Sequence, residues 1–144
     1  MLAVRRFSLV LVAVLALAGC GGGSKTGDDA TAQIKSAYEQ FFSSKTPLAT
    51  RVGLLQNGAR FAPLISALAK NPLASDTSAT VSSVTLEGED NAKVVFTVNV
   101  SGSPFLENKP GTAVRTGGKW KVGYASLCKL IALEGSTPAA CSSG

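Results

Sequence analysis

The sequence predicts an α+β domain in which three N-terminal helices pack on one face of a curved, four-stranded antiparallel sheet. Two patterns along the chain support this fold class. Between residues 30 and 70, apolar residues recur every three or four positions, as on the buried face of a helix. After residue 78 they alternate with polar residues, which is typical of strands with one buried face. Helices followed by a run of strands indicate the α+β class, and the alternation leaves the second face of the sheet partly solvated.

Three helices are predicted before residue 71. The first, Ala30–Ser43, follows an aspartate pair that is able to cap it. The second, Pro47–Gln56, has proline at its first position and ends at an Asn-Gly pair. The third, Ala59–Lys70, ends at an Asn-Pro pair, because proline cannot continue a helix. The apolar positions expected to face the sheet are Ile34, Ala37, Tyr38, Phe41 and Phe42, then Leu48, Val52 and Leu55, and then Phe61, Leu64, Ile65 and Leu68.

Four strands are predicted after residue 78. The clearest has Val94, Phe96 and Val98 on one face, and the last two form a hairpin across a Gly-Gly pair. Residues 105–111 are interpreted as an irregular connection, and residues 134–144 as a polar tail. The predicted strands are Thr80–Glu87, Lys93–Ser101, Thr112–Thr116 and Trp120–Leu127.

The first twenty residues have the pattern of an export signal. Two arginines precede an apolar run, Phe7 to Ala18, that is shorter than the roughly twenty apolar residues of a membrane span. The run ends in Leu17-Ala18-Gly19-Cys20, which matches the lipobox, and the segment resembles a bacterial lipoprotein signal. The resemblance implies cleavage after residue 19 and attachment of a diacylglyceryl group to Cys20.

The expected product is a protein anchored by lipid at the extracytoplasmic face of the cell membrane. Residues 1–19 are the signal peptide, and the glycine-rich residues 20–29 are interpreted as a flexible linker. An ordinary secreted protein with a chance cysteine is the alternative. The Arg5-Arg6 pair leaves twin-arginine export open beside the general secretory route.

Charge and cysteine content restrict the remaining body, which is long enough for one domain. The formal net charge of the whole chain is +5, and it falls by two when Arg5 and Arg6 are removed. The basic residues are scattered, so no nucleic-acid interface is predicted. Cys128 and Cys141 are expected to form a disulfide in an oxidising compartment, because two thiolates in a chain without histidine do not complete a metal site.

Several short motifs indicate a family. The motifs are residues 38–42 (YEQFF), 46–48 (TPL), 54–58 (LLQNG), 118–122 (GKWKV) and 126–128 (SLC). They resemble small secreted and lipid-anchored proteins of actinobacteria that are related to the low-molecular-weight secreted antigen of mycobacteria. The resemblance covers most of residues 30–141 and implies a cone-shaped sheet around helices, as in the nuclear-transport-factor-2-like superfamily, for residues 30–133. It implies no particular activity, because this fold serves many functions.

The sequence offers little catalytic chemistry. It has no histidine, so no histidine-based nucleophile activation is available, and no catalytic residue, metal ligand set or cofactor is predicted. The acidic side chains mostly fall in the linker, in turns or on a solvated helix face. Glu87, Glu89 and Asp90 are a conceivable site for a hard cation, although a solvated hairpin turn is the more ordinary interpretation.

Aromatic residues provide the one candidate pocket. Tyr38, Phe96, Trp120 and Tyr124 are expected to meet inside the cone, either around a ligand or as core filling. Three functions remain open. They are a non-catalytic envelope module that binds an unknown protein, lipid or glycan, a small enzyme with a tyrosine and carboxylate pair, and a purely structural envelope protein. A homodimer through the open sheet face is also expected to be possible.

Overall fold

A computed structural model describes residues 24–142. The predicted signal segment, Cys20 and the glycine triplet lie outside the described residues. The described chain has the order of elements that its sequence pattern indicates, with helices before an antiparallel meander. The elements are α1 (Ser24–Phe42), α2 (Leu48–Leu54), α3 (Gly58–Ala69), a 3₁₀ helix (Pro72–Asp76), β1 (Thr77–Leu86), β2 (Asn91–Val100), β3 (Ser103–Thr116), β4 (Lys119–Val122), α4 (Tyr124–Leu133) and α5 (Ala139–Ser142).

The four strands form one curled antiparallel sheet in the order β1-β2-β3-β4. The register slips between Val81 and Ser83 in β1 and again near Phe96 in β2. Such bulges bend a strand and increase its twist, which helps the sheet to curl around the helices. The α+β fold class is therefore confirmed.

The core lies between the inner face of the sheet and α1. Val94, Phe96 and Val98 of β2 are buried, as the alternation predicts, while residues 93, 95, 97 and 99 are exposed or half-buried. Four of the five apolar positions predicted for the first helix are also buried, Phe42 being half-buried. Tyr38, Phe61 and Phe96 are among the largest side chains that are almost wholly removed from solvent.

Helix α1 begins earlier than predicted. It starts at Ser24 rather than Ala30, so the second half of the predicted linker is helical. No proline interrupts residues 24–29, and the Asp28-Asp29 pair lies within the helix instead of capping it. The predicted flexible linker therefore wrongly includes residues 24–29.

The predicted irregular connection at residues 105–111 is wrong, because these residues belong to β3. The sequence of this segment does not look like a strand, because it contains Pro104 and Pro110. The strand is also irregular at Asn108, which has a positive φ of 50°. Pairing with β2 over most of its length nevertheless keeps the segment extended.

The single strand predicted over Trp120–Leu127 is also wrong. The strand ends at Val122 and helix α4 begins at Tyr124. Gly123 permits this change of direction, because a Cβ atom there would collide with Oγ1 of Thr112. With α4 and α5, the described residues contain two α-helices beyond the three predicted, and part of the tail predicted to be irregular is helical.

Between residues 24 and 142, none of the helices combines the length and apolar character required for a membrane span.

Candidate functional site

A small polar cluster lies inside the core and joins α1, β3 and α4. The Tyr38 hydroxyl donates to the Thr112 carbonyl at 2.6 Å and lies 3.0 Å from Oγ of Ser126. The backbone N–H of Thr112 donates to the same Ser126 oxygen at 2.8 Å, and the N–H of Gly123 donates to the Thr112 carbonyl at 2.8 Å. The start of α4 thus supplies the hydrogen bonds that β3 lacks where its pairing with β4 ends.

This cluster is better suited to holding the fold than to catalysis. Burial raises the pKa of the Tyr38 hydroxyl to about 12, although its hydrogen bonds with Ser126 and Thr112 oppose the shift. The hydroxyl therefore stays protonated at neutral pH. Its hydrogen-bond partners in the described chain are Thr112 and Ser126, and no carboxylate is among them.

Gly111 makes room for the Tyr38 side chain. A Cβ atom at this position would lie against the Tyr38 hydroxyl, 2.9 Å from a Phe96 ring carbon and 3.0 Å from Oγ of Ser126. A glycine is required here because helix α1 approaches the strand so closely.

The structure brings together only two of the four residues of the predicted aromatic pocket. The rings of Tyr38 and Phe96 have centroids 4.9 Å apart, and both side chains are fully buried. Tyr124 lies on α4 and stacks on Phe61 with centroids 5.7 Å apart. Trp120 is buried as well, but it borders a separate depression of about 520 Å³ near the start of α1, next to Gly27 and Gly118. Tyr124 was expected on the Trp120 face of a strand, and the early end of β4 removes that relation.

The two remaining cysteines are joined as the sequence predicts. A disulfide links Cys128 of α4 to Cys141 of α5, with Cα atoms 5.7 Å apart. Both cysteines are half-buried against the core. The bond fixes the C-terminal segment to α4.

The acidic hairpin between β1 and β2 does not assemble a cation site. Glu87 pairs with Lys93 at 2.8 Å, and Asp90 pairs with Arg115 at 3.1 Å. Within residues 24–142, no group of three histidine, cysteine or acidic side chains has the arrangement of a metal site.

An apolar cleft of about 170 Å³ lies beside the end of the sheet where β2 turns into β3. Two of its apolar side chains, Leu73 and Phe105, are 59% and 57% exposed, and they border the same cleft. Glu134 is the only ionisable residue among those that line it. The lining residues are Phe42, Leu68, Asn71, Leu73, Ala74, Thr77, Val98, Val100, Phe105, Leu106, Leu127, Leu130, Ile131 and Glu134.

Phe42 connects this cleft with the aromatic core. Its ring stacks on Phe96 with centroids 5.2 Å apart and lies 6.0 Å from the ring of Tyr38. The predicted pair Tyr38 and Phe96 therefore lies behind the cleft rather than inside it. Phe41 also packs edge-on against Phe42, so aromatic rings pack together beneath the cleft.

A smaller cavity of about 110 Å³ adjoins the cleft, and Arg51 of α2 lines it. Nη2 of Arg51 donates to the Ser43 carbonyl at 2.7 Å. Its Nε atom is buried and has no hydrogen-bond partner among the described residues. Burial lowers the pKa of the guanidinium, which remains charged at neutral pH.

The sequence predicted neither the cleft nor the buried Nε atom of Arg51. The residues that line the cleft come from α1, α3, the 3₁₀ helix, β1, β2, β3 and α4, and no spacing along the chain connects them. One signal was present. Leu127, Leu130 and Ile131 have the three- and four-residue spacing of a helix face, which argues against a strand through residue 127.

These features define a class of protein, namely a small α+β domain with a curled sheet, a filled core and an apolar cleft beside one end of the sheet. The family is defined more closely by sequence comparison. Residues 28–138 match the family described as low molecular weight antigen MTB12, C-terminal domain, and the chain belongs to this family. The resemblance to the low-molecular-weight antigen family is thereby confirmed. Among curated proteins, none matches the chain.

Proposed function

We propose that this protein is a lipid-anchored, extracytoplasmic envelope protein with a nuclear-transport-factor-2-like body that acts by binding, not catalysis. Its binding site is the apolar cleft that Leu73 and Phe105 border. The single observation that carries the binding role is this cleft, in which large apolar side chains are left exposed above a packed aromatic base.

The anchor rests on the sequence of the first twenty residues. A charged start, a short apolar run and a cysteine after two small residues are the features that a lipoprotein signal requires. Two acyl chains provide stable membrane attachment, whereas one chain binds only reversibly. The body is then held at the membrane surface, and its cleft is available to a ligand in the surrounding envelope.

Two observations favour binding over the tyrosine and carboxylate enzyme. The Tyr38 hydroxyl is occupied by Thr112 and Ser126, and its raised pKa makes it a weak acid at neutral pH. The cleft itself presents one carboxylate, on Glu134, which is exposed at its border. Tyr38 is not among the residues that line the cleft.

The anchor is tested by a Cys20→Ser variant expressed beside the unaltered protein. We expect the unaltered protein to incorporate labelled fatty acid and to partition with membranes, and the variant to lose the label. Equal labelling of both proteins would contradict the lipoprotein assignment.

The cleft is tested with the neutral fluorophore N-phenyl-1-naphthylamine, whose emission rises in apolar surroundings. The whole chain with Cys20→Ser is used in buffer, so that no detergent competes. Ala74→Phe places a ring in the cleft, and we expect it to abolish the fluorescence increase. Ala59→Phe, an equal change at an exposed position of α3, is the matched control and should bind the fluorophore normally. Equal binding by both variants would contradict a site in the cleft.

A homodimer stays a prediction, and sedimentation at several concentrations tests it.

A further inference from the structure

Arg51 is a half-buried cation without a carboxylate partner among residues 24–142. The salt bridges of this region involve other residues, and the only cause that shifts the pKa of Arg51 is its burial. Buried polar groups normally have hydrogen-bond partners, and an orphan requires an explanation such as a water or a bound ion. The Nε–H of Arg51 is such an orphan.

Arg51, which carries this orphaned N–H, lines a cavity that adjoins the apolar cleft. The smaller cavity, which Arg51 lines, also has Phe41 and Ile65 in its wall. The other lining residues are common to the cavity and the cleft, so the two spaces lie side by side. The shared residues are Phe42, Leu68, Ala74, Thr77 and Leu127.

The connection between the two spaces offers few competing polar groups. Thr77 is the one polar residue that both spaces share, and its hydroxyl is within hydrogen-bond distance of the carbonyls of Phe42 and Ala74. The path from Arg51 to the cleft is therefore suited to an alkyl chain.

The charges at the two ends have opposite signs. Arg51 lines the smaller cavity but not the cleft, whereas Glu134 lines the cleft but not the smaller cavity. An anionic group is attracted at the Arg51 end and repelled at the Glu134 end. This asymmetry determines both the charge of a suitable ligand and its direction.

We propose that the cleft and the adjoining cavity bind the alkyl chain of a fatty acid, with its carboxylate on the guanidinium of Arg51 and its methyl end toward Phe105. The inference rests on the proposed function of the cleft as a binding site. A guanidinium has five N–H donors and takes a carboxylate with two of them in parallel. One hydrogen of Nη2 is donated to Ser43, and the second remains for the ligand.

The cavity volumes indicate the length of chain. An apolar cavity of about 150 Å³ accommodates benzene, with its six carbons. The cleft of about 170 Å³ and the cavity of about 110 Å³ together accept roughly ten carbons on this scale. Longer chains extend from the cleft along the exposed side chain of Phe105.

The test compares decanoate, 1-decanol and decyltrimethylammonium by calorimetry at pH 7.5, with the whole Cys20→Ser chain at low salt. The three ligands share one chain length and differ in the charge of the head group. We expect decanoate to bind about tenfold more tightly than decanol, because the charge-assisted hydrogen bonds to Arg51 form only with the anion. The cationic ligand should bind more weakly than decanoate.

The decisive variant is Arg51→Gln. It should remove the tenfold preference for decanoate and leave the affinity for decanol unchanged. Arg60→Gln is the matched control, because it makes the same change of charge on α3, where the Arg60 guanidinium lies 5.8 Å from the ring of Phe61. This control should keep the preference. Thermal unfolding of each variant shows whether it is folded. A further variant, Arg51→Lys, keeps the charge but lacks Nε, and it should retain only part of the preference for decanoate.

The possible outcomes separate the inference from the proposed function. If decanoate and decanol bind equally to the unaltered cleft, the assignment of Arg51 is overturned while the cleft remains a binding site. If Arg51→Gln keeps the preference, the assignment is overturned as well. If none of the three ligands binds, or Ala74→Phe does not block them, the cleft itself is not the site and both proposals are wrong.

Discussion

The hydroxyl of Ser126 should contribute more to the stability of this protein than the hydroxyl of Tyr38. The substitutions Ser126→Ala and Tyr38→Phe each delete one hydroxyl group, so the size of the deleted group does not explain the difference. The reason is what each substitution leaves behind. Ser126→Ala leaves the backbone N–H of Thr112 without its acceptor at 2.8 Å. Tyr38→Phe leaves the Thr112 carbonyl with the Gly123 N–H at 2.8 Å, and Ser126 keeps its bond from Thr112.

The magnitudes follow from this difference. An unsatisfied buried donor costs about 1–3 kcal/mol, in addition to the net loss of about 1 kcal/mol for an ordinary hydrogen bond. We therefore expect Ser126→Ala to lower the free energy of unfolding by about 2–4 kcal/mol. Tyr38→Phe should lower it by about 1–2 kcal/mol, because its partners retain other hydrogen bonds.

The measurement is equilibrium unfolding in urea, followed by the fluorescence of the single Trp120 with the disulfide intact. Tyr124→Phe is the matched control for Tyr38→Phe. It changes the unfolding free energy by less than about 0.5 kcal/mol, because the half-buried Tyr124 ring keeps its stacking on Phe61. A larger loss of stability in Tyr38→Phe than in Ser126→Ala would refute the reasoning.

Three further predictions concern the same core. The pKa of Tyr38 is raised to about 12 from its usual value near 10, so the protonated hydroxyl stabilises the fold fully below pH 10 and this contribution is lost as the pH rises to 12. Urea titrations from pH 9 to 12 should show the unaltered protein losing about 2–3 kcal/mol more than Tyr38→Phe, and parallel losses would contradict the assignment. Gly111→Ala should lower the free energy of unfolding by about 1–3 kcal/mol through the collision with Tyr38 and Phe96, while Gly53→Ala, with open space around it, should not. Replacing Cys128 and Cys141 together by serine should lower the free energy of unfolding by roughly 3 kcal/mol, because the disulfide spans 13 positions of the chain. Urea unfolding measures this loss, and an unchanged free energy of unfolding would show that α5 needs no crosslink.

Much of the fold could be predicted from sequence where the signal is local. The three- and four-residue spacing around Tyr38 and the alternation around Phe96 each identify a buried face, and both residues are fully buried. The order of helices before strands indicates the α+β class, and two cysteines in a chain with the pattern of an export signal indicate a disulfide. Each of these conclusions depends on neighbours along the chain or on composition.

Other features were not predictable in this way. The first half of β3 is extended because β2 pairs with it, although Pro104 and Pro110 obscure its pattern. The turn from β4 into α4 depends on the contact of Gly123 with Thr112, which lies on the neighbouring strand β3. Tyr124 consequently occupies a helix against Phe61, and the expected four-residue pocket does not form.

The sequence by itself determined the helical and strand periodicities, the family and the export pattern, because these are properties of adjacent residues. Only the tertiary structure decided where the cleft lies and that Arg51 lies half-buried beside it. Phe42, Leu73, Phe105 and Leu130 meet there from four separate elements, so their proximity depends on how the sheet curls and how α4 packs against it. The absence of a carboxylate partner for Arg51 in the described chain is likewise a result of packing, because it depends on which distant side chains fold against α2.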